Sequence, residues 1–320
     1  MKKVLRVILI IVVLALAGTM AYLKFALPNV GDVPVLIAPD DSTAVNHGRY
    51  LANHVAVCMD CHSIRDWTRF SGPMMAGTLG KGGEYFGPEM GFPGKFYSRN
   101  ITPAALHDWS DGEILRAFTS GVSKDGTALF PVMPYPYYGH ISQEDALDII
   151  AYLRTLAPVT SQIPKDDPQF PVNFLINTMP ESAHFTSKPP QSAVVAYGKY
   201  LVNMAACQEC HTPADKGKLK TDEAFSGGRI FKMPNGIVRS ANITPDAETG
   251  IGGWSESAFV ARFKHYEDSS AAYLMSGDAV NTIMPWTMYA GMDTTDLKAI
   301  YAYLKTLNPI SKKVAHFSGK

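Results

Sequence analysis

At 320 residues the chain is long enough for two domains of ordinary size, and with 46% of its residues apolar it can bury a substantial core. Lys plus Arg equals Asp plus Glu at 29 each, which leaves no basic excess of the kind a nucleic-acid binder carries. Gly (26) and Pro (22) are plentiful and point to loop-rich domains rather than long regular bundles.

The N-terminal segment predicts a membrane helix. Met1-Lys2-Lys3 and Arg6 precede an apolar or small-residue run from Val7 to Leu23, 17 residues long. That is the short edge of a bilayer span, roughly 17–25 residues. The positive flank lies before the run, which puts the rest of the chain outside the cytoplasm. A cleavable signal peptide is the alternative, because Ala15-Leu16-Ala17 has the small-x-small form of a cleavage site. The run continues through Thr19 to Leu23, which a signal peptide does not need, so residues 1–27 read as an anchor. Residues 28–41 follow as a short stalk.

From there one unit is written twice. Gly48-Arg49-Tyr50-Leu51 returns as Gly198-Lys199-Tyr200-Leu201, and Phe70-Ser71-Gly72 as Phe225-Ser226-Gly227. Asn100-Ile101-Thr102-Pro103 returns unchanged as Asn242-Ile243-Thr244-Pro245, and Trp109-Ser110 as Trp254-Ser255. Met133-Pro134 returns as Met284-Pro285, and Ala151-Tyr152-Leu153-Arg154-Thr155-Leu156 as Ala302-Tyr303-Leu304-Lys305-Thr306-Leu307. The copies occupy 42–160 and 190–312. Between them, 161–189 is rich in proline, which denies hydrogen bonding to helix and sheet and reads as an extended linker. Residues 313–320 form a tail. Each copy predicts a helix leading into its cysteine cluster, from about Val45 and Val195, and ends in an amphipathic helix. Ser142 and Asp293 are the expected N-caps of those terminal helices. The fold class is therefore mainly α: two tandem domains behind one N-terminal transmembrane helix.

The chemistry sits in Cys58-Met59-Asp60-Cys61-His62 and Cys207-Gln208-Glu209-Cys210-His211, both C-x-x-C-H. In an exported chain this spacing is the attachment signature of c-type haem. Two thiols one helical turn apart add to the two vinyl groups on one porphyrin edge, and His62 or His211 then meets the iron as proximal ligand. A disulfide within each C-x-x-C gives no reason for a His to follow twice. A structural zinc site wants its second ligand pair within about 15–20 residues, and the two clusters are far further apart. Two covalently attached haem c groups are expected. The sixth ligand of an electron-transfer haem is usually Met or His. Met133 and Met284 coincide under the repeat, each followed by Pro and an aromatic residue, and are the expected distal ligands. Met233 has no counterpart in the first copy, and His140, near Met133, is the weaker alternative. Arg99 and Arg239, close to each Asn-Ile-Thr, are candidates to pair with haem propionates, although they do not align. The Gly-rich stretch from Gly72 to Gly94 lacks P-loop spacing and reads as an irregular loop.

At these residues the chain resembles the cytochrome c subunits of bacterial membrane-bound alcohol, aldehyde and gluconate dehydrogenases and related membrane di-haem cytochromes c. The resemblance implies a class I cytochrome c fold in each half, with His62/Met133 and His211/Met284 as axial pairs. Those subunits typically carry three such domains, whereas this chain has two. The expected function is electron transfer on the outer (periplasmic) face of the cytoplasmic membrane, without enzyme activity of its own. A dehydrogenase or quinol-oxidising complex is the expected donor, and a terminal oxidase or soluble cytochrome the acceptor. Three rivals fare worse. A di-haem peroxidase needs one copy without a matched Met; a sulfur-compound dehydrogenase uses a cysteine as axial ligand, and all four cysteines serve attachment; a haem gas sensor needs an open iron.

Overall fold

A computed structural model of the chain describes residues 1–268, 272–275 and 279–319. The last residue of the predicted tail, Lys320, lies outside them. Helix α1 (Lys2–Phe25) has no buried residue, and its most apolar 18-residue window has a mean hydropathy of 2.6. At 1.5 Å per residue it is about 36 Å long, so by length and composition it can cross a bilayer. The stalk that follows is not free. The Ala38 amide donates to Asp111 Oδ2 at 2.8 Å, and the carbonyl of Pro34 lies where a Cβ on Gly112 would fall.

The first copy folds as α2 (Ser42–Tyr50), α3 (Cys58–Cys61), α4 (Pro103–Leu106), α5 (Asp111–Ser120), α6 (Tyr135–Tyr138) and α7 (Gln143–Thr155). Asp41 caps α2 by accepting the Thr43 and Ala44 amides. Ser110 and Glu113 form a reciprocal capping box on α5. Across the connector stands α8 (Val172–Leu175). The second copy supplies α9 (Val194–Met204), α10 (Cys207–His211), α11 (Glu256–Lys264), α12 (Trp286–Tyr289) and α13 (Thr294–Leu304). Strands are short: β1 (Tyr85–Phe86) and β2 (Gly94–Tyr97), joined antiparallel by β3 (Asp167–Pro168); β4 (Ala214–Asp215) with β5 (Lys218–Leu219); and β6 (Ile230–Met233) with β7 (Gly236–Arg239) and β8 (Phe317–Gly319). Within the predicted tail, Phe317–Gly319 pairs as a strand with β7.

The repeated Gly-x-Tyr-Leu has a steric origin. Where α2 crosses α7, a Cβ on Gly48 would stand 1.8 Å from the Asp148 carbonyl oxygen; where α9 crosses α13, one on Gly198 would stand 1.8 Å from that of Ala299. Only glycine lets these helices meet backbone to backbone. Around each crossing Leu51, Ile149 and Ile150, or Leu201, Leu297 and Ile300, close one continuous apolar core. Ser142 caps α7 as expected, its hydroxyl accepting the Asp145 amide. Asp293 holds the N-cap position of α13 without a side-chain capping bond.

The tyrosine of that motif reaches across to the other copy. Tyr50 Oη donates to Asp296 Oδ2 (2.7 Å) and accepts the Asp293 amide (3.0 Å). Tyr200 Oη donates to Asp145 Oδ2 (2.5 Å) and accepts the Ser142 amide (3.0 Å). Each hydroxyl therefore caps the terminal helix of the opposite copy. A contact in which i meets j and j's equivalent meets i's is the signature of a two-fold interface, here within one chain. The pattern continues: Asn203 Nδ2 donates to the Tyr137 carbonyl (2.9 Å), and His54 Nδ1 bonds the Met288 carbonyl (2.9 Å).

The linker departs from its expected extended, unbonded state. Its β3 pairs with β2, the Gln169 amide donates to Pro93 O, and the amides of His184 and Thr186 donate to Gly139 O and Ile141 O. Proline removes only its own donor, so the residues between the prolines remain free to bond, and they fasten the segment to the first copy.

Two predictions follow from the exchange. Asp145 and Asp296 are 0% and 2% exposed, so Tyr50→Phe or Tyr200→Phe takes a buried hydrogen bond from the carboxylate, Asp145 keeping its pair with Lys188; each should cost about 1–3 kcal/mol in urea unfolding. A loss below about 0.5 kcal/mol, the level of an ordinary surface change, would contradict the cross-cap. Burial raises the Asp296 carboxyl, with the Tyr50 bond opposing the rise. The unfolded carboxyl then ionises first, so stability falls as pH climbs from the unfolded value through the folded one. Asp296→Asn, which keeps an oxygen for Tyr50, should flatten that fall.

Candidate functional site

In each copy the chain reverses sharply between helix and cysteine turn. The reversal is made at Val57 (φ 47°) and at Ala206 (φ 48°), both left-handed without being glycine. For a β-branched residue such as Val57 this is a true backbone outlier. It sets Cys58 and Cys61, or Cys207 and Cys210, on one helical turn with His62 or His211 following. The four thiols are unpaired. Burial pushes Cys58, Cys61 and Cys207 up to about 12 and Cys210 to about 11, so they stand protonated at neutral pH.

The imidazoles are held alike. His62 Nδ1 lies 2.7 Å from the Arg99 carbonyl oxygen, and His211 Nδ1 2.8 Å from that of Ala241. A carbonyl only accepts, so Nδ1 carries the hydrogen and Nε2 keeps its lone pair. Burial lowers both imidazoles below their ordinary value, with the carbonyl bonds pulling the other way. A neutral ring with one nitrogen tied to backbone and the other free has the tautomer that a metal ligand needs.

That carbonyl is itself built in. The Gly82 amide donates to His62 O and the Gly227 amide to His211 O, both at 2.8 Å. With φ of +69° and +72°, these glycines lie so close that a Cβ would fall 2.5 Å from Arg99 C or 2.4 Å from Ala241 C. One residue on, Asn100 Nδ2 donates to Val159 O (2.6 Å) while its Oδ1 accepts the Thr102 amide and hydroxyl (2.9 and 2.8 Å). Asn242 repeats this with Ile310 O (2.8 Å) and Thr244 (2.9 and 2.7 Å). The Asn-Ile-Thr motif is thus the mount for the carbonyl that orients the histidine. The contributing residue differs between copies, Arg against Ala, because only its backbone is used. For that reason side-chain reasoning passed it over.

Met133 and Met284 sit on equivalent turns, their carbonyls accepting the Tyr135 amide (2.7 Å) and the Trp286 amide (2.8 Å). Both are half-buried against the apolar core that also takes Cys58 and Cys207. The helices that follow are tied back to the cysteine loops: Tyr138 Oη donates to Ala56 O (2.7 Å), and Tyr289 Oη to Ala205 O (2.9 Å). Each methionine turn, far along the chain from its C-x-x-C-H, is so brought to the same loop. His140 is exposed, with its ring on Pro136 O. Met233 lies in the β6–β7 hairpin. Arg99 reaches Asp166 (2.7 Å) and Pro164 O, and Arg239 reaches Ala315 O and Ser318. These contacts occupy the two guanidiniums on protein groups.

One expected equivalence fails. Phe225-Ser226-Gly227 stands against His211 and Ile243, whereas in the first copy Gly80 and Gly82 make those contacts. Phe70-Ser71-Gly72 instead forms a strap onto the second copy. Ser71 Oγ donates to Met284 O (2.6 Å) and accepts the Trp286 amide (3.0 Å), and Asn281 bonds back to Ser71 N, Trp67 O and Arg69 O. The turn bearing Met284 is therefore clamped from the other half of the chain, and the one bearing Met133 has no such clamp among the described contacts.

The donor set of each copy fits a covalently attached haem c: two unpaired thiols on one turn, a neutral imidazole with a free Nε2, and a thioether on a turn tied to the same loop. Asn100→Ala and Asn242→Ala should each lower stability by about 1–3 kcal/mol in urea unfolding, since a buried bond network loses its centre; changes under about 0.5 kcal/mol would show the mount to be dispensable.

Residues 195–308 match the family model described as cytochrome c. The chain is similar to the gluconate 2-dehydrogenase cytochrome c subunit of Pantoea cypripedii, at 29% identity over 82% of this chain and 59% of the relative. It is similar also to the cytochrome c subunit of the quinone alcohol dehydrogenase of Gluconacetobacter polyoxogenes, at 29% over 88% of this chain and 59% of that subunit. A diheme cytochrome c-type protein of Cereibacter sphaeroides matches at 27% over 79% of this chain and 82% of its own length. The chain thus spans 59% of the length of the two dehydrogenase subunits. The second half of the chain thus matches a cytochrome c domain, and most of its length is similar to the cytochrome c subunits of gluconate and alcohol dehydrogenases.

Proposed function

We propose that the chain is a membrane-tethered electron carrier with two haem c groups, one per copy, and no turnover of its own. The observation that carries this reading is the twinned imidazole: two histidines, each after a C-x-x-C, each with Nδ1 on a backbone carbonyl. Cys58 and Cys61 hold the first haem by thioether bonds and Cys207 and Cys210 the second. His62 and Met133 would ligate the first iron, and His211 and Met284 the second. When bound, haem supplies reversible one-electron storage; the protein supplies ligands, position and dielectric.

The chain's own residues set how that capacity is used. The carbonyl bond at Nδ1 fixes each ring and strengthens it as a donor. The Met133 and Met284 thioethers would favour the reduced iron and would leave little room there for oxygen, peroxide or water. The Tyr50 and Tyr200 cross-caps hold the copies in one orientation, which would keep two haems at a fixed separation.

Residues 42–160 and 190–312 are read as tandem class I cytochrome c domains, with 1–27 as the anchor. Lys2, Lys3 and Arg6 at its start put the haem domains on the periplasmic face. Relatives named as cytochrome subunits of gluconate, alcohol and fructose dehydrogenases support a membrane dehydrogenase, or a quinol-oxidising complex, as electron donor. Electrons leave to a terminal oxidase or a soluble cytochrome. The diheme relative supports the count of two.

In protein matured with a haem-ligation system, Met133→Ala and Met284→Ala should each remove about half of the weak long-wavelength band of Met-ligated ferric haem, by the equal share of two irons. Each variant should also gain carbon monoxide binding in the reduced state, where the parent binds poorly. Unchanged spectra would reject the axial assignment.

A further inference from the structure

The connector carries an apolar surface that neither the haem sites nor the docking of the copies uses. Between Asp167 and Glu181 the sequence Pro168–Pro180 holds no charged residue. Within it Phe170 is 80% exposed, Phe174 41% and Leu175 43%, and the two phenylalanine rings meet edge to face at 6.1 Å. A soluble surface seldom leaves such a cluster in water, and an exposed apolar patch marks a binding face.

Its position says which one. Asn177 Nδ2 donates to the carbonyl of Leu23 at 2.9 Å, and both α8 and the 3-10 turn Ile176–Thr178 pack on the end of α1. Within α1 only Leu23, the last residue of the apolar run, is partly covered. Beside it Tyr22 and Phe25 are 59% and 80% exposed, and Lys24 brings the first charge after Arg6. The patch therefore lies at the level where the apolar helix ends. Four of its amides are bonded within the segment, those of Asn173, Phe174, Leu175 and Met179 to Gln169 O, Pro171 O, Pro171 O and Ile176 O, which lowers the cost of entering a low-dielectric layer. The 17-residue run Val7–Leu23 spans about 26 Å at 1.5 Å per residue, a few ångströms short of a hydrocarbon core of about 30 Å. Aromatic and aliphatic side chains at the boundary make up such a shortfall.

We propose that residues 170–175, with Tyr22 and Phe25, form a second membrane contact that dips into the outer leaflet beside α1. The proposal rests on the reading that α1 spans the bilayer. With two contacts the first copy stands at one height and one tilt over the membrane, and the docked second copy follows it. Lipid is the occupant favoured over a partner protein because the patch is continuous with the exposed apolar surface of α1, which lipid covers on that reading.

The test is photolabelling of the full chain in phospholipid vesicles containing a lipid with a diazirine in its acyl chain, mapped by peptide mass spectrometry. Peptides covering 170–175 should label about as strongly as those covering the end of α1, and several-fold above the β6–β7 hairpin. Phe170→Ser with Phe174→Ser should lower that labelling several-fold and leave α1 unchanged. Label on α1 with none on 170–175 overturns this inference and spares the anchor. Label on neither overturns both. Label on 170–175 without α1 refutes the anchor and, with it, a second contact placed beside a spanning helix.

Discussion

One hydrogen bond, from an imidazole Nδ1–H to a backbone carbonyl, organises each half of this molecule. It joins His62 to Arg99 and His211 to Ala241, residues 37 and 30 positions apart. Because a carbonyl only accepts, the bond decides the tautomer and presents Nε2. For it to exist, a glycine must bring the next loop within contact, and an asparagine must bind that loop to the segment after the terminal helix. Gly82 with Asn100, and Gly227 with Asn242, do this in turn. Motifs that look unrelated in sequence serve one bond.

The second constraint is mutual. Neither terminal helix is capped wholly by its own copy, since a tyrosine from the opposite copy accepts the N-cap amide and donates to a buried aspartate of the first turn. A buried carboxylate is costly without its hydrogen-bond donor, so the two halves favour the docked arrangement that gives Asp296 its Tyr50 hydroxyl and Asp145 its Tyr200 hydroxyl. Ser71 adds an asymmetry, reaching from the first half to hold the Met284 turn. Two duplicated sites have in this way become unequal, through a loop that only the first possesses.

Much of this was legible beforehand. The C-x-x-C-H pairs, the repeat, the apolar N-terminal helix and the terminal amphipathic helices each have a local signal in spacing or periodicity. What was missed has no side-chain signal. Arg99 and Ala241 act through a carbonyl, which any residue offers. The glycine of Gly-x-Tyr-Leu records a helix crossing that one strand of sequence does not display. Matching Phe70-Ser71-Gly72 to Phe225-Ser226-Gly227 followed letters, whereas the fold matches by what each amide bonds. The connector looked extended because its prolines were counted and the donors between them were not.

The account turns on haem being covalently joined to both halves. Intact-mass measurement of the full chain, matured in a host with haem-ligation machinery and denatured before analysis, addresses this directly. The mass should exceed that of the polypeptide by two haems, and should fall by one with Cys58→Ala/Cys61→Ala or with Cys207→Ala/Cys210→Ala. A mass equal to the bare chain, or to the chain with a single haem, would contradict the account.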